Sequence, residues 1–160
     1  MDKNKAMITY LLSCPTIRDN PLFFNFINAK DNNNQIITES NIVALQQPYI
    51  DGSVMRRYTI KIILFKSISQ NAVVKLDGYP DENVTDLAMI QNVVDWIMEQ
   101  AENANYPDFG TDCVVDSIQP LTSNPVLDAI DTTVQPPLAR YSISIVVEYL
   151  DKSKLLWKEN

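Results

Sequence analysis

Asp51-Gly52 sits between Val43-Ala-Leu-Gln-Gln-Pro-Tyr-Ile50 and Ser53-Val-Met-Arg-Arg-Tyr-Thr-Ile-Lys-Ile62. No other stretch restricts the fold as strongly. An Asp-Gly pair between alternating runs signals a two-residue type I′ turn, which needs positive φ at both central residues. With that turn, Leu45 faces Tyr58 and Val43 faces Ile60, while Ala44 and Thr59 share the opposite side. The apolar set then falls on one face without any shift of register. A β-hairpin with strands at 41–50 and 53–68 is therefore expected, with a further strand at 36–39.

Two helices are expected around it. Ala6, Met7, Tyr10, Leu11 and Cys14 recur at helical spacing over 3–14, and Pro15 is expected to stop that helix. Over 83–104, Leu87, Ile90, Val93, Val94, Ile97, Met98 and Ala101 form one broad apolar stripe. Asp81, Glu82 and Asn83 supply caps and negative charge at its start. Residues 17–27 form a crowded aromatic stretch, read as a short strand or a segment laid over the core. Asp31-Asn-Asn-Asn34 reads as a polar turn and 67–81 as a loop. A strand is expected at 113–121, then a Pro-rich acidic connection at 122–138 in which 126–131 turns briefly. Tyr141, Ile143, Ile145, Val147 and Tyr149 alternate with polar residues as a half-buried strand does. Strands grouped around a helix, without βαβ alternation, predict an α+β fold. The expectation is one mostly antiparallel sheet with its two helices on one face, in one domain over 1–160, with 151–160 as a C-terminal tail.

Composition removes several function classes. The formal charge of −7 argues against a domain that grips nucleic-acid phosphates, though DNA can pass a negative wall without sticking. The chain has no histidine, so Ser-His-Asp and Cys-His catalysis and histidine zinc sites are impossible within it. Cys14 and Cys113 show no metal-ligand spacing and read as free thiols of a reducing cytosol. No apolar run approaches the roughly 18–20 residues that span a bilayer. The opening Met-Asp-Lys-Asn-Lys leads into no cleavable apolar core, so no secretion signal is expected. The three glycines stand alone, so no phosphate-cradling loop exists.

Candidate chemistry is sparse. Asp81/Glu82, Asp108/Asp112 and Asp128/Asp131 are paired carboxylates of the kind a glycosidase or magnesium site uses. Each pair lies in a turn or at a helix start, where acidic residues cap and solvate. Adjacent Arg56 and Arg57 point to opposite faces of a strand, Arg56 with Tyr58 and Arg57 with Thr59 and Lys61. They either protect a solvated edge strand by charge or make ion pairs between subunits. Tyr49, Trp96 and Trp157 read as core or rim aromatics ahead of ligand stackers. The apolar tail end, Leu155-Leu-Trp-Lys158, is expected to pack on a partner. No catalytic residue, cofactor or metal is assigned.

Lys3 to Leu12, the block Tyr49-Ile-Asp-Gly-Ser-Val-Met-Arg-Arg-Tyr58, Phe65-Lys66, Val94-Asp-Trp-Ile97 and Asn105-Tyr-Pro-Asp-Phe-Gly110 recur in that order. Together, from about residue 3 to 150, they resemble a family of small structural proteins of long-tailed bacteriophages that infect Gram-positive hosts. These are often labelled minor capsid or minor tail proteins, and they look like tail terminators. The resemblance implies an α+β fold with a protruding hairpin, assembled as a ring, usually a hexamer. Such a ring caps the tail tube at its set length, stops further polymerisation and presents a surface to the head connector. It implies self, the tail tube protein and the connector as partners, with DNA passing through the channel unbound. The location implied is the neck of a virion assembled in the host cytoplasm. Heterologous interfaces that close after a fixed rotation would prevent filament growth. Contact residues expected at the hairpin are Tyr49, Asp51, Gly52, Arg56 and Arg57, and Trp157 is expected as a contact in the apolar tail. The alternatives are another neck component (a head-completion or tube-related subunit), a carboxylate and metal hydrolase, and a small-ligand module built on the aromatics at 22–26.

Overall fold

A computed structural model describes residues 2–38, 47–68 and 82–157, with only the backbone of 82–86. In chain order the elements are α1 (Lys3–Leu11), α2 (Pro15–Arg18), β1 (Leu22–Phe24), β2 (Asn34–Thr38), β3 (Gln47–Pro48), β4 (Val54–Ser67), α3 (Glu82–Glu102), β5 (Cys113–Pro120), β6 (Val126–Asp131) and β7 (Leu138–Asp151). The fold is α+β, with one mostly antiparallel seven-stranded sheet. Its order is β1-β2-β4-β7-β5, with β3 also pairing β4 and β6 also pairing β7.

The β4–β7 ladder is the spine. It runs unbroken from Val54↔Asp151 to Ser67↔Leu138. Tyr58, Ile60, Ile62 and Leu64 lie beside Val147, Ile145, Ile143 and Tyr141 on one face. Met7, Leu11, Ile17, Ile90, Val93 and Ile97 pack onto that face, so all three helices cover the same side. Ile60, Ile62, Ile143 and Ile145 are fully buried there. Burying each such side chain contributes about 1.5–3 kcal/mol. On the opposite face Ile63, Phe65 and Leu138 form a separate small cluster.

The 83–104 stripe holds at its centre and narrows at its ends. Ile90, Val93, Val94 and Ile97 are buried, while Leu87 and Met98 are exposed. Trp96, outside the expected stripe, packs against Tyr10 with ring centroids 5.2 Å apart. Asp81 and the side chains of Glu82 and Asn83, the expected caps, lie outside the described residues. So do positions 69–81, most of the expected 67–81 loop.

Several expectations need correction. Pro15 does not merely stop a helix; it opens α2 at a first-turn position where its missing N–H costs nothing. α1 ends earlier, at Leu11, and Asp2 caps its start by accepting the Asn4 N–H. The aromatic stretch contains β1, which pairs with β2 in parallel. The polar turn ends at Asn32, and Asn33, Asn34 and Gln35 are buried. Asn33 donates its side-chain amide to the Asn28 carbonyl. The connection at 122–138 contains a six-residue strand, β6, where only a brief turn was expected.

The hairpin exists, but in another register. Gln47 pairs with Met55 and Pro48 with Val54, where a two-residue turn would pair Pro48 with Met55. Ile60 lies between Thr38 and Ile145, so Val43 is not its partner. Residues 41–46, including Ala44 and Leu45 of the expected pairs, lie outside the described residues.

Candidate functional site at the hairpin tip

The β3–β4 connection is a three-residue loop, Ile50-Asp51-Gly52. The Gly52 N–H donates to the Tyr49 carbonyl at 3.1 Å, and the Tyr49 N–H to the Ser53 carbonyl at 2.9 Å. Gly52 alone takes positive φ, at +90°. This is a turn followed by a left-handed bulge residue, not the doubly left-handed turn expected. One added residue moves the register by one. Asp51 locks the turn by accepting from both the Ser53 N–H (2.9 Å) and the Ser53 hydroxyl (2.6 Å). The Ser53 hydroxyl, and then its N–H, hold the Asp51 carboxyl below the usual carboxylate range.

The C-terminal tail is fastened to this turn. The Leu156 N–H donates to the Asp51 carbonyl at 2.9 Å, and the Lys152 N–H to the Asp112 carbonyl at 2.7 Å. A Cβ at Gly52 would drive into the Lys154 carbonyl oxygen and crowd Leu156, so glycine serves both the backbone angle and the close approach. Asp151 ties the start of the tail. One oxygen accepts the Ser153 N–H and the other the Arg56 Nε–H, both at 2.9 Å. Ser153, and to a smaller degree Arg56, hold the Asp151 carboxyl down at about 2.

Beneath the tip, Phe109 meets Tyr58 and Tyr149 edge-on, at centroid distances of 5.6 and 5.3 Å. Lys3 lies over the Tyr149 ring, and the Tyr58 hydroxyl donates to Asn4 at 2.6 Å. Burial pushes the Tyr58 hydroxyl up to about 12. The start of α1 is thereby anchored under the tip. What emerges on top is apolar: Ile50 is 95% exposed, Trp157 76% and Leu156 66%, with Tyr49 also exposed.

Of the residues expected to make contacts, Tyr49, Asp51, Gly52, Arg56 and Trp157 gather at this end. Asp51, Gly52 and Arg56 build it, and Tyr49 and Trp157 face solvent. Arg57 sits on the opposite face, donating to Glu148 at 2.9 Å. Both arginines thus have partners within the chain, on a strand that lies inside the sheet and is not a solvated edge. Sequence reasoning missed Ile50 and Asp151, and placed Leu156 only in an apolar tail end, not at the hairpin. An isoleucine in a tight turn was the available signal, since turns favour polar residues.

The carboxylate pairs do turn and charge work where they are described. Asp108 accepts the Gly110 N–H, and Asp131 accepts the Thr133 N–H and hydroxyl. Asp128 lies 3.9 Å from Arg140. Among the described residues, no three His, Cys, Asp or Glu side chains gather as metal ligands would. Burial pushes the Cys14 and Cys113 thiols up, which keeps them protonated. At 22–26, Leu22 and Phe24 pack on the core, and Phe23 meets Phe26 at 6.0 Å. A hollow of about 590 Å³ lies instead between α1 and the 106–108 loop, lined by Ala6, Tyr10, Tyr106 and Pro107. No described helix is long and apolar enough to cross a membrane. No protein-family model matches the chain, and no curated protein matches it.

Proposed function

We propose that this chain is a virion structural protein of a long-tailed bacteriophage, a tail terminator. In this reading it closes into a ring, in the family usually a hexamer, that caps the tail tube and meets the head connector. The work is steric and associative. The ring covers the growing end of the tube, and no bond is made or broken. The observation that carries the reading is the tip. Ile50, Leu156 and Trp157 are held out into solvent by a turn and a tail locked together by backbone hydrogen bonds. A rigid, exposed apolar patch of this kind marks a protein contact, and preorganisation lowers the ordering cost of binding. The ordered sequence blocks and the α+β sheet support the same reading, and the net charge of −7 suits a channel that DNA must leave freely.

Mass measurement by light scattering, with electron microscopy of the purified protein, tests this. Closed rings with a central hole, or their appearance on adding tail tube protein, are expected. A monomer both alone and with tube protein overturns the reading.

A further inference from the structure

We infer that copies of this chain join edge to edge through β6 of one copy and β1 of the next, as one antiparallel sheet continued across subunits. This deepens the ring reading and rests on it for closure of the row. The first ground is topology. Among the described residues, β1 ends the sheet on one side, and β5 and β6 end it on the other. A free edge carries unpaired backbone groups and is a template for another strand.

The second ground is direction and height. β1 is parallel to β2, which is antiparallel to β4; β6 is antiparallel to β7, which is also antiparallel to β4. β1 and β6 therefore run in opposite directions. A copy placed by a lateral step brings its β1 against the first copy's β6 in the antiparallel sense. The registers also make the two edges overlap, with Val126 and Leu127 level with Phe23 and Leu22. Leu22 and Phe24 align through β2 with Leu64 and Ile62 of β4. Val126 and Asp131 align through β7 with Ile63 and Ser67. Both free edges occupy the same half of the sheet.

The third ground is what β6 leaves uncovered. All six of its residues are exposed, although Val126, Leu127 and Ile130 are apolar. Leu127 and Ile130 fall on the helix-covered face, the face on which Leu22 and Phe24 pack. Val126 falls on the other face, with Phe23. The joined strands would match apolar with apolar on both sides. Natural edges are usually guarded by charge or proline. β6 has neither lysine nor proline; of its two charges, Asp128 lies at the bulge between Leu127 and Ala129, close to Arg140, and Asp131 is taken up by the Thr133 N–H and hydroxyl.

The test is Leu127→Lys in the full chain, measured by light scattering and by thermal unfolding. Because Leu127 is exposed, the melting of the isolated subunit should be unchanged. An unpaired charge in the joint should shift assembly toward monomer by about 100-fold in midpoint concentration. A second measurement uses Val126→Cys and Phe23→Cys, which share a face and a level in the joined sheet, each combined with Cys113→Ser. A short thiol crosslinker should join the two variants when mixed and neither variant to itself. Rings that persist unchanged in Leu127→Lys overturn the edge pairing and leave the ring standing. Open rows or filaments that Leu127→Lys dissolves support the pairing and overturn the closed ring. Crosslinking of Val126→Cys to itself overturns the head-to-tail arrangement. A wild-type chain that stays monomeric at every concentration, alone and with tail tube protein, overturns both.

Discussion

The two ends of the β4–β7 ladder expose apolar residues in different ways. At the Val54–Asp151 end, side chains and backbone are tied by the Asp51 turn, the Arg56–Asp151 pair and the Leu156–Asp51 hydrogen bond. The exposed groups there sit on a locked base. At the Ser67–Leu138 end, among the described residues, β6 pairs with β7 alone and all its side chains are exposed. The first end is finished locally and offers side chains; the second is unfinished and offers backbone as well. A finished knob suits a partner of another kind, whereas an unfinished edge suits more sheet.

The largest expected effect removes the spine that both ends share. Ile143→Ala, in a fully buried position between the two ends, should cost about 2–5 kcal/mol in denaturant unfolding. Both ends should melt in one transition. Separate transitions would show that the ends are independent units and break the comparison.

Gly52→Val should act on one end alone. A side chain there meets the Lys154 carbonyl and must take positive φ, at a cost of about 1–3 kcal/mol. Limited proteolysis should cut the tail near Lys154 much faster, while β6 keeps its hydrogen-exchange protection. Equal loosening of both ends would contradict local locking.

The Asp151 tie sets a pH dependence. Its carboxyl is held at about 2, whereas an unfolded aspartate titrates near 3.9. The folded form therefore gains its full advantage above about pH 4 and loses it as pH falls through about 2. Asp151→Asn should cost about 1 kcal/mol at pH 7 and flatten the acid side of a stability–pH curve. An unchanged curve would remove Asp151 from the account of the tip.

The smallest effect on folding is the sharpest for function. Trp157→Ala should change stability by less than about 0.5 kcal/mol, because the ring is exposed. Its binding to tube or neighbouring subunit, read by mass or pull-down, should fall clearly. Intact binding would mean that the patch is not the contact.

Elements with dense local signals were readable from the residues. The α3 stripe, the alternation of β7, the cores of β4 and β5 and the existence of a turn at Asp51-Gly52 all rest on neighbours within a few positions. Tyr49 and Arg56 in the hairpin and Trp157 in the tail were candidates separately, and nothing local showed that the tail would lie across the turn. The turn's length was not readable, because a three-residue and a two-residue loop both accept Asp-Gly. Tail contacts with Gly52 and Asp51, more than a hundred residues apart in sequence, accompany the longer loop.

Periodicity and turn chemistry were enough to specify the α1 and α3 helices and the β4, β5 and β7 strands with their apolar faces, since those properties depend on spacing along the chain. Tertiary structure alone decided the parallel β1–β2 pair, the strand at 126–131 and the start of α2 at Pro15. A three-residue strand carries too little alternation to announce itself, and an exposed strand lacks a buried face to reveal its period. Such segments become strands because a neighbour presents unpaired N–H and C=O groups, and that neighbour exists only once the sheet is built.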